Sequence, residues 1–110
     1  MATAALEIYD VDTGNKRSFM SADGFEDELK FSGQDIGKAV SDAFGDSDYE
    51  YWYTFSREDT RRLTEILNGI HGEDTLREHI RKHYIGKDGF SRLRELWEEK
   101  GIRAEFFSYA

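Results

Sequence analysis

The sequence predicts one α+β domain over residues 1–110, a small mixed or mainly antiparallel sheet of about 4–5 strands with about 4 helices packed largely on one face. Three observations lead there. Aromatic segments at 49–55 and 102–109 alternate with period two. Apolar stripes at helical spacing follow Ser or Asp residues suited to capping. Strands and helices do not alternate regularly, as a doubly wound sheet would require. The expected order is β-β-(β)-α-β-α-α-α-β.

Leu6, Ile8, Tyr9 and Val11 mark the first strand. Tyr9 and Val11 are out of phase with Leu6 and Ile8, which calls for partial cover on both faces or for a bulge. Asp12, Thr13, Gly14 and Asn15 supply a turn, with Gly14 and Asn15 tolerating positive φ, and 16–20 reads as the returning strand. Ser21 to Gly24 is a second turn, and Leu29 and Phe31 alternate across Lys30 as a short third strand. Ser32 and Asp35 then have capping-box spacing ahead of Ile36, Ala39, Val40, Ala43 and Phe44. That stripe, closed by Gly45, predicts a helix.

The segment 49–55 is the clearest strand, with Tyr49, Tyr51, Tyr53 and Phe55 on one face and Glu50, Trp52 and Thr54 on the other. Ser56 and Asp59 repeat the capping spacing ahead of Leu63, Ile66, Leu67 and Ile70, with Gly69 as the stop. Asp74 can cap a helix carrying Leu76, Ile80 and Tyr84. After Gly89 a further helix gathers Phe90, Leu93, Leu96 and Trp97. Gly101 ends it, and Ile102 is placed for the apolar contact of a Schellman motif. The last strand, 102–109, sets Ile102, Ala104 and Phe106 against Arg103, Glu105 and Phe107. Its aromatic content and that of 49–55 make these two the expected sheet centre.

Composition bounds the function. The chain has no cysteine, which excludes disulfides, thiolate metal sites and a cysteine nucleophile. The start of the chain carries no basic-then-apolar leader pattern, and no window approaches a membrane span, so a cytoplasmic protein with no membrane partner is expected. The net charge of −8 is one-sided: residues 1–55 hold 12 acids against 4 bases, whereas 56–110 hold 11 of each. Such a field repels nucleic acid and favours basic partners. The arginines of the second half sit among acids, with Glu58–Arg62 and Glu78–Lys82 at i, i+4, the pattern of a solvated helix surface rather than a phosphate-binding one.

Two clusters stand out as candidate sites. Asp46, Asp48, Glu50 and the aromatics Tyr49, Tyr51 and Trp52 combine charge with rigid contact area, the composition of a partner-binding strip. Across residues 33–68 this region resembles an acidic-aromatic segment of small bacterial proteins with no assigned function, and the resemblance implies no activity. The second cluster is histidine. His79 and His83 lie four apart on an expected helix, with His71 upstream, a spacing that can hold one metal ion. However, Ile80 stands where a zinc protease has its glutamate, Arg81 and Lys82 bring positive charge, and no third ligand is identified. No phosphate loop, nucleophile elbow or assignable carboxylate pair is present.

The leading expectation is a non-enzymatic domain, without cofactor, that engages a basic protein in the manner of an immunity protein or a phage-encoded inhibitor. A small metal-binding protein or enzyme using His71, His79 and His83 is the alternative from another class. The third is a homodimer or scaffold in which the aromatic strand pairs with its own copy.

Overall fold

The computed structural model describes residues 5–37 and 48–109. β1 (Leu6–Asp12), β2 (Lys16–Asp23), β3 (Lys30–Gly37) and β4 (Asp48–Thr54) follow one another. Three helices among the described residues, α1 (Arg57–His71), α2 (Leu76–His83) and α3 (Gly86–Glu99), then precede β5 (Glu105–Tyr109). The sheet order equals the chain order, and every neighbouring pair is antiparallel. The result is an open five-stranded antiparallel sheet with helices on one face.

The hairpin between β1 and β2 forms where the turn residues stand, and Gly14 takes the positive φ of 90° while Asn15 does not. The phase break in the first strand is a bulge: the register slips between Glu7 and Tyr9, leaving Ile8 as the extra residue. That slip lets Leu6, the fully buried Ile8 and Tyr9 all serve the covered face.

The helix expected to begin near Ser32 is corrected. Ser32, Asp35 and Ile36 belong to β3, which pairs along its whole length with β2 and from Lys30 to Ile36 with β4. Two complete ladders satisfy the backbone on both sides, and this tertiary gain outweighs a local capping pattern. The remainder of that predicted helix, 38–44, lies outside the described residues. The sheet centre is corrected too. β3 is central, while β5 is an edge strand beginning only at Glu105. Ile102 is turned into the core by the Schellman closure of α3, with Ile102 N–H donating to the Trp97 carbonyl at 2.9 Å and Gly101 N–H to that of Glu98 at 3.1 Å.

The other helix boundaries follow local chemistry. Ser56 Oγ accepts from Asp59 N–H as its spacing predicts, but α1 runs through Gly69 to His71 and stops at Gly72, φ 96°. Thr75 rather than Asp74 caps α2, accepting from Glu78 N–H, while the Asp74 carboxylate accepts from Thr75 N–H. A buried hydroxyl joins sheet and helix: Thr60 Oγ1 donates to the Ser56 carbonyl at 2.8 Å and accepts from Leu29 N–H at 3.0 Å.

The core is one cluster centred on Trp97 of α3. Its indole stacks on Phe31 of β3 at 5.7 Å and meets Phe55 edge-on at 4.8 Å, with Tyr53 and Phe90 each at 5.8 Å. Leu63, Leu67, Ile80 and Leu93 close around it, each fully buried. Trp97→Ala should therefore destabilise the domain by about 3–5 kcal/mol. Urea unfolding followed by far-ultraviolet circular dichroism measures this, and a loss under about 1 kcal/mol would contradict the assignment of Trp97 to the core centre.

Candidate functional site

The registers sort every strand residue onto one of two faces. Helix-side rows run Leu6–Ala22–Phe31–Tyr53–Phe106 and Tyr9–Met20–Gly33–Tyr51–Ser108. Rows of the opposite face run Glu7–Ser21–Ser32–Trp52–Phe107 and Asp10–Phe19–Gln34–Glu50–Tyr109. The acidic-aromatic strip is thereby split. Tyr49 and Tyr51 lie on the helix side, Glu50 and Trp52 on the other, and Asp48 opens β4 opposite Ile36. Asp46 lies outside the described residues.

No described element covers the second face. There Trp52 of β4 and Phe107 of β5 are cross-strand partners with ring centroids 6.5 Å apart. Phe107 is 66% and Tyr109 70% exposed. A shallow hollow of about 190 Å³ beside them is walled by Lys30, Trp52, Thr54, Glu105 and Phe107. Glu7, Asp10, Asp12, Asp23, Glu50 and Glu105 occupy this face by register, against Arg17 and Lys30. Arg17 grips Asp10 through two bonds of 3.0 and 2.8 Å while its guanidinium lies 5.1 Å from the Phe19 ring. That grip holds the Asp10 carboxyl below the usual range, its hydrogen bond to Arg17 being the main cause. The arrangement is an open, aromatic, predominantly anionic sheet face.

On the helix side Tyr51 and Tyr53 are hydrogen-bonded, while Tyr49 is 36% exposed beside the Tyr51 ring. Tyr51 OH shares a hydrogen bond with Tyr9 OH at 2.9 Å, and burial, then that bond, pushes the Tyr51 phenol well above its ordinary value. Arg94 Nη1 donates to Tyr53 OH at 3.1 Å. A cleft of about 310 Å³ beside them is lined by Asp35, Tyr49, Tyr51, Arg94 and Phe106, among others. A Cβ on Gly33 would fall within the Tyr51 ring, so this ring lies across the bare backbone of β3. Gly33→Ala should displace Tyr51 and cost about 1–3 kcal/mol, read by chemical denaturation, whereas an unchanged midpoint would refute the close approach.

The fold also gathers the three histidines. His71, at the end of α1, stacks on His83 of α2 with centroids 3.9 Å apart and planes 8° from parallel, and His79 lies 5.9 Å from His71. Ring nitrogen lone pairs lie in the ring planes, so stacked rings do not aim them at a common point. Among the described residues no group of three or more His, Cys, Asp or Glu is arranged to hold a metal ion. Two of the nitrogens have other work. His71 Nε2 bonds Tyr84 OH at 2.9 Å. Asn68 Oδ1 accepts Asp74 N–H at 3.1 Å, so His79 Nε2–H must donate to that same oxygen at 2.7 Å.

Burial lowers the pKa of both His71 and the almost inaccessible His79, with the neighbouring His83 lowering each further, while Asp74 opposes the fall at His79. Native values below the ordinary 6.5 mean that the unfolded chain takes up protons first. Stability is then complete above 6.5 and falls as pH drops below it. Carboxylates held low by cations, Asp74 by Lys82 and Glu78 by Arg81, act only nearer pH 4. The melting temperature should thus drop by a few degrees between pH 7.5 and 5, and His79→Gln should flatten the drop. A wild-type profile level across this window would contradict the buried neutral histidine.

Several features of the fold are not legible in the sequence. Phe107 and Tyr109 were legible as strand aromatics, but only pairing with β4 places Phe107 beside Trp52. The helix charges pair as Asp59–Arg62 at 3.3 Å and Glu78–Arg81 at 2.5 Å, one residue closer than the expected i, i+4 spacing. A cleft of about 590 Å³ between residues 25–27, α1 and the start of α2 had no sequence signal at all, and Arg77, on its wall, has a buried Nε with no acceptor among the described residues. No described helix is long and apolar enough to cross a membrane. Compared with protein-family models, curated proteins and solved structures, the chain matches none.

Proposed function

We propose that this chain is a non-enzymatic binding domain that receives a basic protein on the open face of its sheet. The observation that carries the reading is the Trp52–Phe107 pair on a face that no described element covers, flanked by Glu50 and Glu105. Exposed aromatics next to one another on a single surface are the usual anchors of a protein interface, since they bury large area with few rotatable bonds. Carboxylates around them draw a cationic partner in and fix its orientation, adding more to the rate of encounter than to the strength of the final complex. This is the physics of an immunity protein or inhibitor that blocks a cationic surface. The anchors are Trp52, Phe107 and Tyr109, with Glu50 and Glu105 as steering charges. Tyr49 and Tyr51 support β4 from the helix side instead.

The test begins with differential capture on immobilised wild-type protein and on immobilised Trp52→Ala, followed by stopped-flow kinetics with the partner that discriminates between them. The joint substitution Glu50→Lys and Glu105→Lys should slow association about tenfold at low salt and flatten its salt dependence, with little effect on dissociation. Phe107→Ala should instead speed dissociation. A partner whose association ignores both salt and the charge reversal would end this reading.

A further inference from the structure

We propose that the outer edge of β5 pairs antiparallel with β5 of a second copy of this chain, joining two sheets into one of ten strands. The inference is independent of the basic-partner reading. β4, the aromatic strand first expected to self-pair, is hydrogen-bonded on both sides by β3 and β5 and has no edge to offer. Any self-pairing must therefore use β1 or β5, the two ends of the sheet.

The two ends differ in kind. β1 carries the devices that block edge pairing: a bulge at Ile8, the acidic residues Glu7, Asp10 and Asp12, and cover from α2 and α3 packed against it. β5 has no bulge and only one acidic residue. Its register with β4 is unbroken, it contains no proline, and Glu105 is its single charge. Phe106, Phe107 and Tyr109 are 51%, 66% and 70% exposed, and no described strand lies on its outer side. A regular, aromatic edge with a single charge is a template for another strand.

A second copy fits this template better than it fits any other part of the sheet. In the register centred on Phe107, each Glu105 faces a Tyr109, and each Phe106 faces a Ser108. The two Glu105 carboxylates then stand four residues apart along the strands, about 14 Å, beyond the screening length of about 8 Å at physiological salt. On the open face the pairing sets Phe107 against Phe107, so that Trp52, Phe107 and their symmetry mates form one row of four rings. The acidic β1 edges end up at the far margins of the ten-stranded sheet, roughly 40 Å apart at about 4.8 Å per strand.

Two copies at −8 each repel one another, so this dimer strengthens as salt rises, opposite in sign to capture of a basic protein. A five-residue strand pair also lies at the small end of specific interfaces, below about 1,200 Å², the class of weak and transient association.

Sedimentation equilibrium from about 10 μM to 1 mM, at about 50 and 500 mM NaCl, tests this directly over the range where a weak interface populates. A dimer favoured at the higher salt is expected, with Phe107→Glu and, separately, Tyr109→Glu each weakening it about tenfold or more by setting like charges across the pair. Both side chains are largely exposed, so circular dichroism should report an intact fold for either variant. Because the chain has no cysteine, Glu7→Cys gives a single spin-label position on β1, and the label-to-label distance should be roughly 40 Å. A monomer at all concentrations, a dimer untouched by both folded variants, or a label distance under about 20 Å would each overturn the proposal.

Discussion

The whole arrangement hangs on one indole. Trp97 reaches from α3 onto the middle of the sheet, stacking on Phe31 of the central strand while Phe55, Tyr53 and Phe90 meet it from three other directions. A sheet covered on one face has only one core, and a chain of 110 residues without cysteine has no covalent staple to supplement it. The Schellman closure immediately after Trp97 fixes where α3 stops and turns Ile102 into the same cluster. The path to β5, and hence the position of Phe106 and Phe107, descends from that single packing event.

Covering one face exposes the other, and the period of two along each strand decides what appears there. β4 shows the rule most clearly. Its tyrosines go to the helix side, where the hydroxyls of Tyr51 and Tyr53 find Tyr9 and Arg94, while Glu50 and Trp52 go to the open side. The bulge at Ile8 shifts the phase of β1 by one residue, which keeps Tyr9 with the core and sends Glu7 and Asp10 to the open face together. One extra residue in an edge strand thus places Asp10 on the same face as Glu7.

The helical half of the molecule holds several ion pairs of its own. Asp59–Arg62, Glu78–Arg81 and Asp74–Lys82 pair within or beside their own helices, and burial lowers the pKa of His71 and His79. The excess of acids over bases lies in residues 1–55, which hold four of the five strands.

By itself the sequence determined the local features whose cause is local: the capped start of α1 at Ser56, the glycine closure after Trp97, the turn at Gly14, and the alternation along 49–55. It also left two options for β1, cover on both faces or a bulge, and the structure has the bulge. Tertiary structure alone decided that Ser32 to Ile36 is a strand, because ladders on both sides of β3 satisfy more backbone than a helical turn could offer those residues. It alone set β5 at the edge beside β4, bringing Phe107 to Trp52 across more than fifty residues of chain. The reason is the same in each case: capping and turn chemistry act within a few residues, whereas strand neighbours are chosen by contacts whose partners are distant in sequence.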